Sequence, residues 1–486
     1  MTSDIKDITK VKETVKSIYQ LFGDITSIHG VQRTTVKTRW RRIIWAILVL
    51  TSFSWGLHQL VIVVDSYFSY PVSSVITLQH GTDIPFPAVT ICNLNKLRKS
   101  LLPDAVLRDI VSNYTQFDRR ITSERYENFI VDTVDLDVRR KAWHNISDML
   151  QFCAFNEERC AVEEFTQVRD NINGHCYTFN REGKAETRYT TRAGPIYGLI
   201  VELRIQLEEY LNITNTAGFK VIVHDPQVPP FPEDGGITVQ PGQATNIGIE
   251  KTIVRRLPEP YENCVESSVN NSNNLYDRWN YTYTENGCKK SCFQMSLYDH
   301  CACCLISLPC NASKIYRMAG KVFNNESIPY CDSKNKKNAA CMLRVRNLFK
   351  YDKRKCAQSC PPACLETIYT TVVSSGFWPT ESYFPMLLQQ TNGSKETSLK
   401  NFAENNLKLH VYYSHLFVTD IQTKKDYDTY KVISDIGGQL GLMLGASLLT
   451  AAELFELLAD ILVVYTRGVF SWLFTTQLKL DRKRSS

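Results

Sequence analysis

"GASLLTAAELFELLAD", residues 445–460, is the stretch on which the fold turns. It lies inside an apolar run, yet it carries Glu453, Glu456 and Asp460. An acidic side chain at the centre of a lipid-facing helix costs roughly 2.5–3.5 kcal/mol on insertion scales. Three together nearly cancel the gain from the surrounding leucines. Their spacing of three and four residues puts all three on one face of a helix. That face must meet water or protein rather than lipid. It is either the lining of a water-filled cation pathway or the polar side of an amphipathic helix on a soluble domain. The rest of the chain decides.

Working outward, residues 43–64, "IIWAILVLTSFSWGLHQLVIVV", carry no formal charge. As a helix they would be about 33 Å long, enough for a bilayer. "KTRWRR" at 37–42 precedes them, which sets the N-terminus in the cytosol by the positive-inside rule. The run starts too late and is too long for a cleaved signal peptide. Residues 436–465 form a second candidate, followed by Arg467 and a "DRKR" tail. The expected organisation is therefore a cytosolic N-terminus (1–42), a first transmembrane helix (43–64), an extracellular domain (65–431), a second transmembrane helix with the pore (432–466) and a cytosolic tail (467–486). This is a plasma-membrane protein of mixed α+β class, with both termini inside.

The net charge of +6 is concentrated at the two ends. No basic stripe interleaves with an aromatic platform, which excludes a nucleic-acid partner. All 16 cysteines fall between Cys92 and Cys364, in the segment assigned to the outside. There they read as disulfides rather than as a zinc site. The Asn-x-Ser/Thr sequons Asn113, Asn145, Asn212, Asn270, Asn280, Asn311, Asn325 and Asn392 lie in the same segment and mark candidate glycosylation sites.

Within this segment strands are expected near 73–79, 86–92 and 218–226, with a strand pair over 245–257. Residues 101–165 read as helical, with a short Cys153–Cys160 loop. Residues 288–364 read as short helices stapled by bridges. Alternation returns over 407–422 and leads into the second membrane segment. No phosphate loop, Gly-x-Ser-x-Gly elbow or His-Glu-x-x-His pattern is present in the sequence, so no enzyme and no cofactor are expected. His175 and His300, each beside a cysteine, are read as structural rather than as metal ligands.

The second membrane segment carries Gly437, Gly441 and Gly445 at four-residue spacing, which suits close helix packing. If the helix breaks at Gly445-Ala446-Ser447, freed carbonyls and the Ser447 hydroxyl would offer oxygen ligands to a hard cation such as sodium. One helix cannot enclose a channel, so several subunits would assemble around it.

Several motifs now coincide: His29-Gly30, "FPAVTICNLN" (86–95), "GHCYTFN" (174–180), "RLPEPYENC" (256–264), the cysteine series to Cys364, and "SDIGGQLGLMLGAS" (434–447). With them the chain resembles the degenerin/epithelial sodium channel/acid-sensing ion channel family over nearly its whole length. The resemblance implies a trimer of identical or related subunits, with a large disulfide-rich α/β ectodomain. It also implies a voltage-insensitive, sodium-selective pore blocked by amiloride. Gly445, Ala446 and Ser447 match the selectivity filter, and Glu453, Glu456 and Asp460 would be pore acids below it. Ser434, Asp435 and Gly438 match the gate and degenerin site, and His29-Gly30 a re-entrant loop. The family's bridges carry over by order as Cys92–Cys176, Cys153–Cys160, Cys264–Cys364, Cys288–Cys360, Cys292–Cys356, Cys301–Cys341 and Cys303–Cys331. Cys304 and Cys310 have no counterpart in the acid-sensing pattern and would close an eighth, short loop.

Acid-sensing members place clustered carboxylates between a finger and a thumb region. Here the thumb-like stretch 341–356 is basic, with Arg344, Arg346, Lys350, Lys353, Arg354 and Lys355 and only Asp352 as an acid. The finger-like stretch keeps Glu208 and Glu209 without a dense acidic run. The expected opener is therefore an extracellular ligand such as a short FMRFamide-type peptide. Proton gating and constitutive opening are the alternatives within the family. An ATP-gated-type receptor or a non-conducting surface receptor is the alternative outside it.

Overall fold

The computed structural model describes all residues except 1–13, 16, 19, 36–37, 116–133, 171–173, 182–186, 267–273, 307, 319–326, 333–334, 352–355, 357–358, 391–397, 446, 448–449, 451 and 467–486. Ala446, the sequons Asn270, Asn325 and Asn392, the side chain of Asn113, thumb residues Asp352–Lys355 and the basic tail thus lie outside the described residues.

Helix α1 (Arg39–Phe68) is followed by strands β1 (Val72–His80), β2 (Ile84–Pro85) and β3 (Ala88–Asn93) and by helix α2 (Asp104–Thr115). Next come β4 (Leu150–Phe155), β5 (Glu158–Arg159), β6 (Phe165–Asp170), β7 (Gly174–Phe179) and β8 (Tyr189–Thr190). They are followed by β9 (Leu199–Arg204), β10 (Phe219–His224), β11 (Ile237–Val239) and β12 (Gln243–Arg255). Helices α3 (Glu285–Cys301), α4 (Ala312–Met318) and α5 (Lys336–Tyr351) precede β13 (Leu365–Phe377), β14 (Asn406–Lys425) and helix α6 (Thr429–Leu444). Shorter helical turns fill the connections. The chain divides into two units, residues 74–423 and residues 1–73 with 424–486.

The larger unit is built on two sheets. One has the order β13-β12-β14-β9-β4-β5, with β1 added on β14. The other has the order β11-β10-β3-β7-β6. Alternation explains the first sheet. In β9 every second residue is buried, and Leu407, Leu409, Val411 and Tyr413 do the same on β14. These residues share one apolar core with Phe86, Val89 and Ile91 near β3, Phe179 on β7 and Phe219 on β10. The Phe86 ring stands edge-on to Phe155, Phe179 and Tyr413, the arrangement that ring quadrupoles favour.

Three sequence expectations change here. The expected helix over 101–165 holds in pieces as far as Met149, but from Leu150 onward the stretch is built on β4, β5 and the start of β6. Its charged residues favour a helix locally, but pairing of β4 with β9 and of β6 with β7 overrides that preference. The expected strand pair over 245–257 is a single strand, because β12 is paired along its length with β13 and also runs parallel to β14. The cysteine-rich region is built mainly on two helices longer than expected, α3 with 17 residues and α5 with 16.

The structure closes eight disulfides and leaves no described cysteine free. Cys92–Cys176 joins β3 to β7, and Cys153–Cys160 closes the β4–β5 hairpin. Cys288, Cys292 and Cys301, in α3, bond Cys360, Cys356 and Cys341 in that reversed order, so the two arms run antiparallel. Cys264–Cys364, Cys303–Cys331 and Cys304–Cys310 fix the surrounding loops. Little apolar core supports this region beyond small clusters around Leu275 and Tyr283. Covalent closure of long loops therefore carries much of its stability.

In the smaller unit, α1 is long and apolar enough to cross a bilayer. It exceeds the apolar run 43–64 because the hydrogen-bond ladder continues into polar flanks until Thr38 and Ser69, just before Pro71. The second apolar run is not one helix. Helix α6 is capped at its start by Asp428, whose side chain accepts from the Lys431 N–H, and ends at Leu444. Gly445 takes the left-handed conformation (φ 63°), and residues 452–466 are helical again. Neither half alone reaches the roughly 30 Å of a hydrocarbon core; the two in series do.

Candidate functional site

The break at Gly445 is occupied from the N-terminal segment. Residues 20–25 are helical, and the chain then turns through Thr26 to Gly30. Gly30 adopts φ 89°, which suits glycine, and a side chain there would press on Val49. This turn brings His29 against Gly445: a Cβ built on Gly445 would lie 1.5 Å from His29 Nδ1. Two motifs more than 400 residues apart therefore meet backbone to ring, and only glycine fits the meeting point.

A polar chain runs beside that contact. Glu453 Oε2 accepts from the Ser27 N–H (3.0 Å), the Thr26 hydroxyl (3.2 Å) and the Ser27 hydroxyl (3.2 Å). Ser27 Oγ lies 2.6 Å from Thr450 Oγ1. With the Ser27 proton directed to Glu453, Thr450 donates to Ser27. Thr450 Oγ1 in turn accepts from the Ser447 N–H at 3.0 Å. Each hydroxyl proton has one use, so the chain is consistent. Glu453 is thus held by three neutral donors, while Glu456 and Asp460 are exposed on the same helix. Among the described residues, Glu453 is the one of the three acids with a partner segment. Sequence reading missed Thr26 and Ser27, whose only trace was their place just before His29-Gly30.

At the other end of α6, Ser434 is exposed and Asp435 accepts from the Tyr427 hydroxyl. Nothing lies within 4 Å of a Cβ built on Gly437 or Gly438. Gly56 on α1 faces Met443 on α6.

In the larger unit the two finger-like acids are engaged locally. Glu208 pairs with Arg204 at 3.0 Å. Glu209 accepts from the Ser100 N–H (2.9 Å) and hydroxyl (2.7 Å), with Arg98 at 3.7 Å. Burial pushes the Glu209 carboxyl up, but the Ser100 bonds and the Arg98 charge outweigh it and leave it below the usual range. Burial lowers three histidines: His144, His224 to about 4, and His410, beside Lys408, also to about 4. On α5, Lys337, Arg344 and Arg346 are exposed. Among the sequons, Asn145, Asn212 and Asn280 are exposed, and Asn311 is half-buried with Oδ1 accepting from Ser313.

The model of the family described as amiloride-sensitive sodium channel matches residues 22–457. The chain belongs to this family. It is 26% identical to the epithelial sodium channel subunit alpha of Neoceratodus forsteri, over 93% of the chain and 80% of that relative. It is 25% identical to the FMRFamide-activated amiloride-sensitive sodium channel of Cornu aspersum, over 90% of the chain and 81% of the relative. Acid-sensing ion channel 1 of Gallus gallus is 28% identical over 90% and 82%. The match to the amiloride-sensitive sodium channel family spans both the N-terminal turn at His29 and the break at Gly445.

Proposed function

We propose that this chain is a subunit of a trimeric, amiloride-blocked, sodium-selective channel of the plasma membrane, opened by an extracellular ligand of the short-peptide type. Helix α1 and the α6–Gly445–452–466 segment form its two crossings, with both termini in the cytosol and 65–431 outside. The observation that carries this reading is the interrupted second apolar run. A left-handed Gly445 stops the helix at membrane depth, where irregular backbone is tolerated only beside a water-filled cavity. Carbonyls freed by the break, with Ser447, would supply oxygen ligands to a dehydrated sodium ion. The open glycines of α6 suit close approach of neighbouring subunits around the axis.

Preference for a ligand over protons rests on Glu208 and Glu209. Each is bound to its own local donors, and Glu209 titrates below the usual carboxylate range, away from the pH of mild acidification. The relative activated by FMRFamide supports a peptide as the ligand class. The mechanism is differential binding, in which the peptide contacts the open ectodomain better than the closed one.

Whole-cell voltage clamp of expressing cells tests both parts. Replacing sodium by a large organic cation should abolish an amiloride-sensitive inward current. A panel of FMRFamide-type peptides at neutral pH should open it, and a step to about pH 5 should not. A large transient current on acidification with no response to any peptide restores the acid-sensing alternative.

A further inference from the structure

Strand β14 changes character half-way along. Its first part is fixed in the apolar core by Leu407, Leu409, Val411 and Tyr413, all at most 1% exposed. Its pairing with β12 then slips: Ile249 stands opposite Tyr413, but Lys251 stands opposite Val418. Ser414–Phe417 form an expanded bulge against the single residue Glu250. Past the bulge the strand has no fully buried apolar residue, and Val418 packs only partly against the core. Only one of its residues from 414 to 425 is buried, and that residue is Asp420, at 2% exposure.

Asp420 gathers three strands. Arg255 Nε on β12 donates to Oδ1 at 3.2 Å and to Oδ2 at 3.4 Å. Gln79 on β1 donates to Oδ2 at 3.4 Å, and Gln422 on β14 itself donates at 2.7 Å. The Thr77 hydroxyl on β1 also reaches the Asp420 carbonyl at 3.4 Å. Arg255 stays half-exposed while the carboxylate is enclosed. A buried charge is costly and would not be chosen for stability alone, since an apolar residue would hold a strand junction as well. It does give a junction that is either fully satisfied or broken, which makes two discrete arrangements. The position fits such a use. Three residues separate the end of α1 from the start of β1, and three separate the end of β14 from the start of α6.

We propose that the Asp420–Arg255 pair, with Gln79, is a resting-state latch: a positioning pair that holds the lower halves of β1, β12 and β14 in one register and thereby opposes opening. This inference rests on the channel reading for its consequence, but not for its local content. Two measurements separate them. The first is hydrogen–deuterium exchange on the purified full-length protein. Asp420→Asn should speed exchange at least threefold across 74–80 and 418–425 and leave 406–413 unchanged. The second is amiloride-sensitive current without added agonist, normalised to surface protein. Asp420→Asn and Arg255→Gln should each raise it at least fivefold, and the charge swap Asp420→Arg with Arg255→Asp should return it toward wild type. Unchanged exchange below the bulge overturns the latch whether or not the protein conducts. Faster exchange without a rise in basal current, in a wild type that conducts, reduces the pair to structural glue and overturns the proposal. If a single variant fails to reach the surface, Asp420→Glu, which keeps the charge at a changed reach, serves in its place, with a smaller rise of the same sign expected. A wild type with no amiloride-sensitive current under any agonist removes the channel reading, and exchange alone then decides the latch.

Discussion

Glu453 and Asp420 are two carboxylates that do the same job in different ways. Each ties an early segment of the chain to a late one: Thr26–Ser27 to the helix 452–466, and Thr77–Gln79 to the lower part of β14. Asp420 is matched by a guanidinium, whereas Glu453 is met only by an amide and two hydroxyls. The difference follows from what each neighbourhood must tolerate. A fixed cation beside Gly445 would repel a permeant sodium ion, so on the channel reading the donors there must be neutral. At Asp420 a charge pair gives a sharper two-state junction.

The largest effect should come from removing the space that the neutral side depends on. Gly445→Val would set branched carbons where His29 now sits and force a β-branched residue to φ 63°. We expect at least about a tenfold loss of amiloride-sensitive current, equivalent to about 1.4 kcal/mol. Residual current should show a shifted reversal potential. Gly445→Ala combined with His29→Ala should recover part of it. A Val variant with normal current and selectivity would show that the His29 turn is not seated at the break in the working protein.

The next effect sharpens the comparison itself. Glu453→Ala deletes the acceptor of three hydrogen bonds, whereas Glu453→Gln keeps a carbonyl oxygen in reach of the same donors. With a net difference of about 0.6–1.4 kcal/mol between arrangements from the three bonds together, Ala should lower current about three- to tenfold. Gln should retain at least about half, because most of that bonding survives. If Gln proves as damaging as Ala, the charge itself matters, and Glu453 belongs with Glu456 and Asp460 as a pore acid.

This contrast marks where sequence reading stops. The two apolar runs, the pairing of the cysteines into disulfides and the alternation of β9 and the first part of β14 are all legible, because burial and periodicity are local properties. The glycine spacing of 437–445 also pointed to a special stretch. The His29–Gly445 contact was not legible. His29-Gly30 and Gly445 were each singled out as family motifs, but no local pattern couples two points so far apart. Asp420 was missed for a related reason: its burial comes from β1 and β12, not from its own strand, where it reads as an exposed polar residue. Over 150–165, local charge suggested helix, and strand partners elsewhere in the chain decided otherwise.

A smaller effect concerns pH and the larger unit. His224 Nε2 lies 2.8 Å from Thr90 Oγ1, and Nδ1 lies 2.9 Å from the Asp225 carbonyl. Burial holds this histidine down at about 4, against an ordinary value of 6.5. Below pH 6.5 the unfolded chain takes up a proton that the folded one refuses. The folded state therefore keeps this contribution above pH 6.5 and loses it as pH falls toward 4. The loss is on the order of 3 kcal/mol at most. His224→Gln should lower stability at neutral pH and flatten the slope between pH 6.5 and 4 in thermal melts of the purified full-length protein. An unchanged slope would place the proton uptake elsewhere.

The smallest effect separates two neighbouring acids. Glu208 is half-exposed and pairs with Arg204 four residues before it, an arrangement that contributes at most about 0.5 kcal/mol. Glu209 anchors the 98–100 turn through both Ser100 donors and the Arg98 charge. Its removal leaves a backbone N–H and a hydroxyl without their acceptor, a cost of about 1–3 kcal/mol. Glu209→Ala should therefore lower the melting midpoint measurably at pH 7, while Glu208→Ala stays within error of wild type. The gap should narrow as pH falls below the ordinary carboxylate range, because Glu209 contributes only while ionised, and its depressed titration keeps that contribution until more acidic conditions. Equal effects of the two substitutions at pH 7 would mean that the Ser100 bonds are not formed in solution. These acids would then not be committed to local structure and would be free to act as proton sensors for gating.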